Sequence, residues 1–343
     1  MVDPARRRRA TVRDVAEKAG VSISTVSLAF HYPGRVAATT RQRILAVSAE
    51  LGYAPRTQAA SQPNGRFFIL LMEELSLFAF PETVYGTILR TIEEKARQQQ
   101  VGMLLATVEK GQVPHSVRER QAQGAIVLGG CPENDALALE LAALNLPLVL
   151  VDTYIPGAPI TSVLPDNEWG GYLAYQHLVE QGHRRIALIE GPSKYRTLVD
   201  RRWGALRAAD ELKVPIPPSY QQPSISSGFA QKGYREMKAL LQLAEPPTAV
   251  FAVSDRAALG ALEAIKEAGL RVPQDIALVG FDDQSNAEQA SPSLTSVHYA
   301  REQIGALAFD LLLGQIEGST HAPARHVVPS RLVVRASTCS TRS

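Results

Sequence analysis

Residues 11–22 have the sequence TVRDVAEKAGVS, and residues 23–30 continue as ISTVSLAF. Thr11 is a suitable helix cap, and Asp14 would stand in the first turn, where a negative charge interacts favourably with the helix dipole. Apolar residues recur at i, i+3, i+4 and i+7, which predicts a helix with one buried face. Gly20 ends this pattern, as glycine does at helix C-termini.

A second short helix is expected from Ile23 to about Phe30, capped by Ser22. Val26 and Ala29 would face inward, leaving small polar residues on the outside. Thr39 or Thr40 would cap a third helix that Gly52 closes. Two short helices joined by a tight turn and supported by a third are typical of a helix-turn-helix unit, whose second helix can enter a major groove.

Positive charge is concentrated around this unit. The chain has 343 residues and a formal net charge of only +2, but the first 62 residues carry ten Lys/Arg against four Asp/Glu. The remaining residues are weakly acidic, at a net charge of −4. This asymmetry indicates nucleic-acid binding by the N-terminal part, because Lys and Arg neutralise phosphates.

From Arg66 onward, strand-length apolar segments alternate with helical segments, which predicts parallel sheets covered by helices on both faces. The pattern occurs twice, so we expect two doubly wound subdomains. The predicted organisation is a head (1–55), a hinge (56–65) and a body (66–343). The body would contain an N-subdomain (about 66–161 plus 297–328) and a C-subdomain (about 162–296 plus 329–340).

Polar residues follow several of the predicted strands. Ligands bind at the carboxyl ends of strands in such sheets, so these residues are expected to line a cleft. They are Asp152, Asp166, Ser254, Asp255 and Asp282. Together with Arg201, and with Phe229 or Trp169 as an apolar wall, they suit the hydroxyl groups of a sugar.

No motif for catalysis is found. The sequence lacks a Gly-x-Gly-x-x-Gly segment after a strand, a P-loop and a Gly-x-Ser-x-Gly elbow. The histidines are scattered, and Cys131 and Cys339 have no metal-ligand spacing. We therefore expect no enzyme activity, catalytic residue, cofactor or metal. The apolar runs are too short to span a membrane and no secretory signal is evident, so a cytoplasmic, nucleoid-associated protein is expected.

The motif at residues 11–27 resembles the head of the LacI/GalR family of bacterial transcription regulators. Thr40-Arg41 and the LGYAP sequence at residues 51–55 extend the likeness. The body is similar to the same family in segments such as GHRRIA (182–187) and GFD (280–282). This resemblance implies an all-α helix-turn-helix head and an α/β body like a periplasmic binding protein. It also implies a homodimeric regulator, most simply a repressor, that binds double-stranded operator DNA under the control of a small-molecule effector.

The resemblance assigns roles within the head. Ile23, Ser24 and Leu28 would face base edges, whereas Thr25, Ser27, Arg35 and Thr40 would hold the DNA backbone or its neighbourhood. The hydroxyl groups of Thr11 and Ser22 can also hold phosphates, and Arg56 adds positive charge.

Two positions depart from the family pattern. Leu28 stands where the family usually has Arg, so a bidentate contact to guanine is replaced by an apolar contact, for example with a thymine methyl. Gln62 stands where a Leu usually wedges into the minor groove, so we expect less DNA kinking. Residues 56–65 would form a weak or absent hinge helix, or a flexible linker.

In the body, the resemblance places Asp152, Arg201 and Asp282 at effector contacts, Phe229 near an aromatic wall and Phe78 on the facing loop. A sugar is the favoured effector. A purine, a protein co-repressor and a solute-binding protein without a DNA role remain as alternatives. The short tail after Val334 has no leucine heptads, so a tetramer built on a C-terminal coiled coil is not expected.

Overall fold

A computed structural model describes residues 11–23, 25, 26, 29, 36–51, 67–73, 84–108, 122–130, 132–222, 232–318 and 322–339. The chain divides into two compact units, Met1–Asn64 and Gly65–Ser343. The first unit contains the head and most of the predicted hinge, and the second contains the body.

The head begins with helix α1 (Val12–Ala19). Thr11 caps it by accepting a hydrogen bond from the Asp14 amide, and the Asp14 carboxylate accepts one from the Thr11 amide in return. Gly20 ends the helix in the left-handed conformation, at φ 62°. Both the cap and the stop that the sequence predicts are confirmed.

The next described residues, Ile23, Thr25, Val26 and Ala29, are helical. Ser22 accepts a hydrogen bond from the Thr25 amide at 3.1 Å, as a helix cap does. Val26 and Ala29 are fully buried, which confirms the predicted inward face.

Helix α2 (Ala38–Glu50) completes the described head. It begins before Thr39 and Thr40, so the prediction that one of these residues is the cap is wrong: both lie in the first turn. Ile44 of α2 packs against the apolar face of α1 in a core that closes the head. A Lys18–Glu50 ion pair of 2.6 Å links the two helices at the surface.

The body contains eight described α-helices and twelve strands. The helices are α3 (Tyr85–Gln98), α4 (Pro132–Ala143), α5 (Asn167–Glu180), α6 (Arg196–Glu211), α7 (Lys232–Leu241), α8 (Asp255–Glu267), α9 (Ser285–Gln289) and α10 (Arg301–Ile316). The strands are β1 (Phe67–Glu73), β2 (Gly102–Val108), β3 (Ala125–Leu128), β4 (Leu148–Val151), β5 (Thr161–Pro165), β6 (Ile186–Ile189), β7 (Gln221–Gln222), β8 (Ala249–Ala252), β9 (Ala277–Phe281), β10 (Thr295–Tyr299), β11 (Arg325–Val328) and β12 (Ser330–Val333).

The strands form two six-stranded sheets with the same arrangement. The first has the order β11-β5-β4-β3-β1-β2 and the second β12-β10-β9-β8-β6-β7. Neighbouring strands are parallel, except that β12 runs antiparallel to β10. The central strands are buried along their whole length because helices cover both faces. The predicted pair of doubly wound subdomains is confirmed.

The chain crosses between the sheets three times, after β5, β10 and β11. We call residues 67–165 and 301–328 the first subdomain, and residues 166–300 and 329–339 the second. The first two crossings lie a few residues later than the sequence-based boundaries: residues 162–165 pair within the first sheet and residues 297–299 within the second. Local periodicity does not report which sheet a strand joins, so it does not locate these crossings.

Helices α5 and α6 pack unusually closely in the second subdomain. A Cβ on Gly204 would lie 1.8 Å from the Glu168 carbonyl oxygen, and one on Gly171 would lie 2.0 Å from the Arg201 carbonyl oxygen. Glycine is therefore required at both positions. The helix α6 starts at Arg196, so Arg201 lies inside the helix rather than at its end.

Candidate functional site

The described part of the head presents polar and apolar groups beside each other at the start of the second helix. Ser22 is exposed, and its hydroxyl oxygen lies 2.7 Å from that of Thr25, which is half-buried. Ile23 is exposed by 44% although it is a large apolar residue. Arg41 donates to the Ala29 carbonyl at 3.3 Å and so holds the other end of this helix against α2.

The structure thus brings together three of the predicted DNA-binding residues: Ser22, Ile23 and Thr25. Thr11 is exposed at the start of α1, and Thr40 is half-buried in the first turn of α2. The other predicted DNA-binding residues lie outside the described residues, as does the hinge; they are Ser24, Ser27, Leu28, Arg35 and Arg56.

In the body, two aspartates follow equivalent strands of the two sheets. Asp152 comes directly after β4 and Asp282 directly after β9. Both residues have positive φ angles, 55° and 110°, which non-glycine residues adopt uncommonly and which recur at functional sites. Both are at least 93% buried. The fold therefore holds two strained carboxylates at the carboxyl ends of its central strands.

Arg201 contacts the second of these aspartates, Asp282. Its Nη1 lies 2.9 Å from Asp282 Oδ1 and donates to the Val253 carbonyl at 2.8 Å. Its Nε donates to Asn167 Oδ1 at 2.8 Å. The guanidinium carbon lies 3.8 Å from the centre of the Phe281 ring. This buried guanidinium, bonded through Nε and Nη1, fixes the position of the Asp282 carboxylate.

Two tyrosines complete the arrangement. Tyr85, on the first residue of α3, donates to Asp152 Oδ2 at 3.0 Å. Tyr299, at the end of β10, donates to Asp282 Oδ1 at 3.4 Å. We call Tyr85, Asp152, Arg201, Asp282 and Tyr299 the polar cluster.

Burial controls the ionisation of the cluster. It raises the pKa of Asp152 to about 6, against the opposing effects of Arg201 and of the hydrogen bond from Tyr85. Burial also raises the pKa of Asp282, although Arg201 and Arg301 act in the opposite direction. The pKa values of Tyr85 and Tyr299 are raised far above 10, again mainly by burial, so both hydroxyls remain donors at neutral pH.

Several polar atoms at this end of the first subdomain have no hydrogen-bond partner within the described part of the chain. They are Asp152 Oδ1, Thr153 Oγ1 and Asn134 Oδ1. Buried polar atoms are rarely left without partners, and such exceptions call for an explanation. Carboxylate, hydroxyl and amide oxygens together can accept hydrogen bonds from the hydroxyl groups of a ligand.

The other predicted effector residues have other environments. Asp166 accepts a hydrogen bond from the Trp169 amide at 3.0 Å and caps α5, and Ser254 accepts one from the Ala257 amide at 3.3 Å and caps α8. Trp169 itself is 42% exposed and stacks on Tyr172 instead of lining the cluster. Phe78 and Phe229 lie outside the described residues.

Asp255 is fully buried and already bonded. Ser296 Oγ donates to its Oδ1 at 2.5 Å, and the Gln284 amide donates to its Oδ2 at 2.8 Å. Burial, with the nearby Asp282 charge, raises the pKa of Asp255 to about 8. These contacts hold the loop after β9 in place.

Sequence reasoning missed Tyr85, Asn167, Tyr299 and Arg301. Tyr85 and Arg301 are the first residues of their helices, where no pattern distinguishes them from other helix starts. Tyr299 ends a strand, and ligands bind at strand ends in such sheets, so this signal could have identified it. That strand was not recognised, since its sequence TSVHY mixes polar and apolar residues.

Contacts between the two subdomains surround the cluster. Arg196 of α6 forms an ion pair with Asp135 of α4. Tyr154 donates to Asp200 of α6 at 3.0 Å, and the Arg325 guanidinium lies 3.5 Å from the centre of the Tyr154 ring. The helix α6 therefore contacts the first subdomain while it supplies Arg201 to the cluster.

No group of three or more potential metal ligands occurs among the residues that the structure describes. Within the same residues, no helix has both the length and the apolar character that crossing a membrane requires.

Comparisons with known proteins cover both units. The family model for "Bacterial regulatory proteins, lacI family" matches residues 11–56, and that for "Periplasmic binding protein-like domain" matches residues 175–338. The chain is 33% identical over 336 residues to the HTH-type transcriptional repressor PurR of Escherichia coli O1:K1 / APEC, a match covering 96% of each chain.

Two solved structures are similar over nearly the whole chain. A complex of the transcriptional regulator CelR with cellobiose has a TM-score of 0.70 and 31% identity, and the match covers 96% of this chain and 100% of that one. The lac repressor dimer bound to operator and the anti-inducer ONPF has a TM-score of 0.71 and 29% identity, with 97% and 100% covered.

Proposed function

Because the chain belongs to the lacI family of bacterial regulatory proteins, we propose that it is a transcriptional repressor whose operator binding is controlled by a small molecule bound at the polar cluster. The observation that carries the proposal is the pairing of a capped helix-turn-helix head with a two-subdomain body whose buried polar atoms converge at the strand ends. The proposal assigns no catalytic step, and it places the protein in the cytoplasm beside nucleoid DNA.

The head would bind DNA through the start of its second helix. Hydroxyl groups at Ser22 and Thr25 suit phosphate oxygens, and the exposed Ile23 suits an apolar contact to a base edge. The excess of Lys and Arg in the first 62 residues supplies the electrostatic part of the affinity.

The DNA proposal is tested by titrating the full chain with a duplex selected from a random library. We expect the logarithm of the association constant to fall linearly with the logarithm of salt concentration, because neutralised phosphates release counterions. Affinity that does not change with salt would contradict DNA binding by the head. The Ile23→Ala variant should lose discrimination between selected and random duplexes, whereas Leu45→Ala, which removes another exposed apolar side chain of the head, should retain it.

The body would bind a sugar. Unpartnered acceptors beside a carboxylate–guanidinium pair suit hydroxyl groups, and the CelR relative, at 31% identity, is a complex with cellobiose. A purine would need an apolar, aromatic wall, whereas the described cluster offers a carboxylate–guanidinium pair and unpartnered oxygen acceptors. Thermal-shift measurements against matched panels of sugars and nucleobases separate the two effector classes.

Control of DNA binding would follow from a difference in effector affinity between two arrangements of the body. A ligand that binds both arrangements equally shifts neither. The lac repressor relative is a dimer on its operator, and a homodimer with a near-palindromic operator is proposed here too. The test is release of a bound operator duplex on addition of the sugar that gives the largest thermal shift. Unchanged operator affinity would contradict induction by that sugar.

A further inference from the structure

Arg301 is a half-buried cation whose hydrogen bonds are incomplete. It is the first residue of α10 and follows the crossing from β10 into the first subdomain. Its Nε and Nη2 atoms are shielded from solvent and have no hydrogen-bond partner within the described part of the chain. Leaving a shielded donor unsatisfied is unfavourable, and more so when the donor is charged. Such a group is expected to have a ligand.

The charge of Arg301 interacts with members of the polar cluster. Its guanidinium carbon lies 5.2 Å from the centre of the Tyr299 ring, and the Tyr299 hydroxyl donates to Asp282. Its charge also counteracts the rise that burial causes in the pKa of Asp282. Arg301 is therefore close to Tyr299, which ends β10, and its charge acts on Asp282, which follows β9.

The carboxylate of Asp282 does not satisfy Arg301, because Arg201 takes that role. The ion pair of 2.9 Å joins Asp282 to Arg201, whose other contacts go to Asn167 and the Val253 carbonyl. Nε and Nη1 of Arg201 thus have partners within the protein, whereas Nε and Nη2 of Arg301 have none within the described part of the chain. Arg301 therefore has hydrogen-bonding capacity left for a ligand.

The unpartnered atoms of the first subdomain have the opposite character. Asp152 Oδ1 and Asn134 Oδ1 can only accept, and Thr153 Oγ1 can accept or donate. A ligand that satisfies them must carry hydrogen-bond donors, which hydroxyl groups supply, and a ligand that satisfies Arg301 must carry an acceptor. Arginine matches carboxylate and phosphate groups better than neutral acceptors because its planar donors bind two oxygens at once.

We propose that the effector is a polyhydroxylated molecule with an acidic group, a sugar acid or a sugar phosphate, whose anionic group is bound by Arg301 and whose hydroxyl groups are bound at Asp152, Thr153 and Asn134. This inference rests on the proposed function and narrows its effector class. Arg301 is the residue that sets the preference for an acid over a neutral sugar.

The experiment uses the full-length protein and sets of three probes built on one sugar each. For glucose, galactose and mannose, isothermal titration compares the neutral sugar, the corresponding uronic acid and the 6-phosphate. We expect one acidic member to bind at least tenfold more tightly than its neutral counterpart, since a charge-assisted hydrogen bond contributes about 1.5–3 kcal/mol. The carboxylate and phosphate probes show which acid the site takes.

Variants of Arg301 test its role. Arg301→Gln should weaken binding of the acidic probe by about 10- to 100-fold and leave the neutral sugar unchanged, and Arg301→Lys should recover part of the loss. Arg271→Gln is the matched control, because Arg271 is exposed and paired with Asp275 away from the cluster. If Arg301→Gln weakens acidic and neutral probes equally, Arg301 has a merely structural role and the inference is wrong.

Other outcomes separate the inference from the proposed function. A neutral sugar that binds as tightly as its acids would overturn the acidic effector while leaving a sugar-controlled repressor intact. Binding of nucleobases alone, with no sugar of any kind, would overturn both the sugar effector and the acid preference. Operator titration of the same samples reports on the DNA part independently.

Discussion

The two subdomains place an aspartate at equivalent strand ends but give it chemically different partners. In each, the fourth strand in chain order ends in an aspartate with a positive φ angle: Asp152 after β4 and Asp282 after β9. In each, the partner comes from the helix that follows the first strand. Tyr85 of α3 donates to Asp152, and Arg201 of α6 pairs with Asp282. The aspartate is thus met by a neutral donor in one subdomain and by a cation in the other.

Because of this difference, the carboxylate of Asp282 is paired within the protein, whereas that of Asp152 keeps one oxygen available to a ligand. The charge of Asp282 is compensated by Arg201 at 2.9 Å, whereas the phenol of Tyr85 compensates no charge and leaves Asp152 Oδ1 without a partner. We therefore expect Asp282 to contribute mainly to stability and Asp152 mainly to ligand binding.

The largest effect is expected for Asp282→Ala. Removing one member of a buried ion pair leaves the other uncompensated and costs about 3–5 kcal/mol. Urea unfolding measures the loss. The Asp310→Ala variant removes an ion pair with Lys95 that is partly exposed, so it should cost less than about 1 kcal/mol. Equal losses in the two variants would show that Asp282 is not a structural carboxylate.

The next effect is the pH dependence of stability that Asp152 causes, with Asp152→Asn as the reference. The pKa of Asp152 is raised to about 6 from 3.8, so the folded state binds the proton more tightly than the unfolded state. The resulting stabilisation is complete below about pH 4 and is lost as the pH rises through 6. The stability of the unmodified protein relative to Asp152→Asn should fall by up to about 3 kcal/mol across this range. Unfolding curves at several pH values measure the difference, and a difference independent of pH would contradict the prediction.

A smaller effect is expected for Tyr85→Phe. The substitution removes one hydrogen bond to Asp152 and no charge, which should cost about 1 kcal/mol of unfolding free energy. The contrast between the subdomains predicts that this loss is well below that of Asp282→Ala. A loss of 3 kcal/mol or more would mean that both aspartates are structural to the same degree.

The smallest effect on stability is expected for Asp135→Asn. It breaks the ion pair with Arg196, which joins the two subdomains and is partly exposed, so the cost should be less than about 1 kcal/mol. Effector affinity should fall by up to about fivefold, because the pair holds the subdomains together around the cluster. The control is Asp310→Asn, whose ion pair lies within the first subdomain, and it should leave affinity unchanged. Equal affinities in the two variants would exclude this role for the Arg196–Asp135 pair.

Much of the fold follows from local sequence. The capping residue Thr11 and the stop at Gly20 are determined by neighbours within a few positions, so they can be identified without the tertiary structure. Strands β1 and β4 can also be identified from their continuous apolar runs, because a strand covered on both faces contains few polar residues. Asp152 and Asp282 were found because they directly follow such strands.

The remaining part of the site depends on contacts between distant segments. The helix that supplies Tyr85 meets β4 across 67 residues of sequence, and the pairing of β10 with β9 and β12 makes a strand of the mixed sequence TSVHY. No local pattern reports either contact. The sequence by itself determined the capped helices, the two sheets and the aspartates at their strand ends, because these features depend on residues a few positions apart. Only the tertiary structure decided that Arg201 is paired with Asp282 and that Asp152 and Arg301 keep unsatisfied atoms. A polar side chain's role depends on which partners the folded chain brings within hydrogen-bond distance.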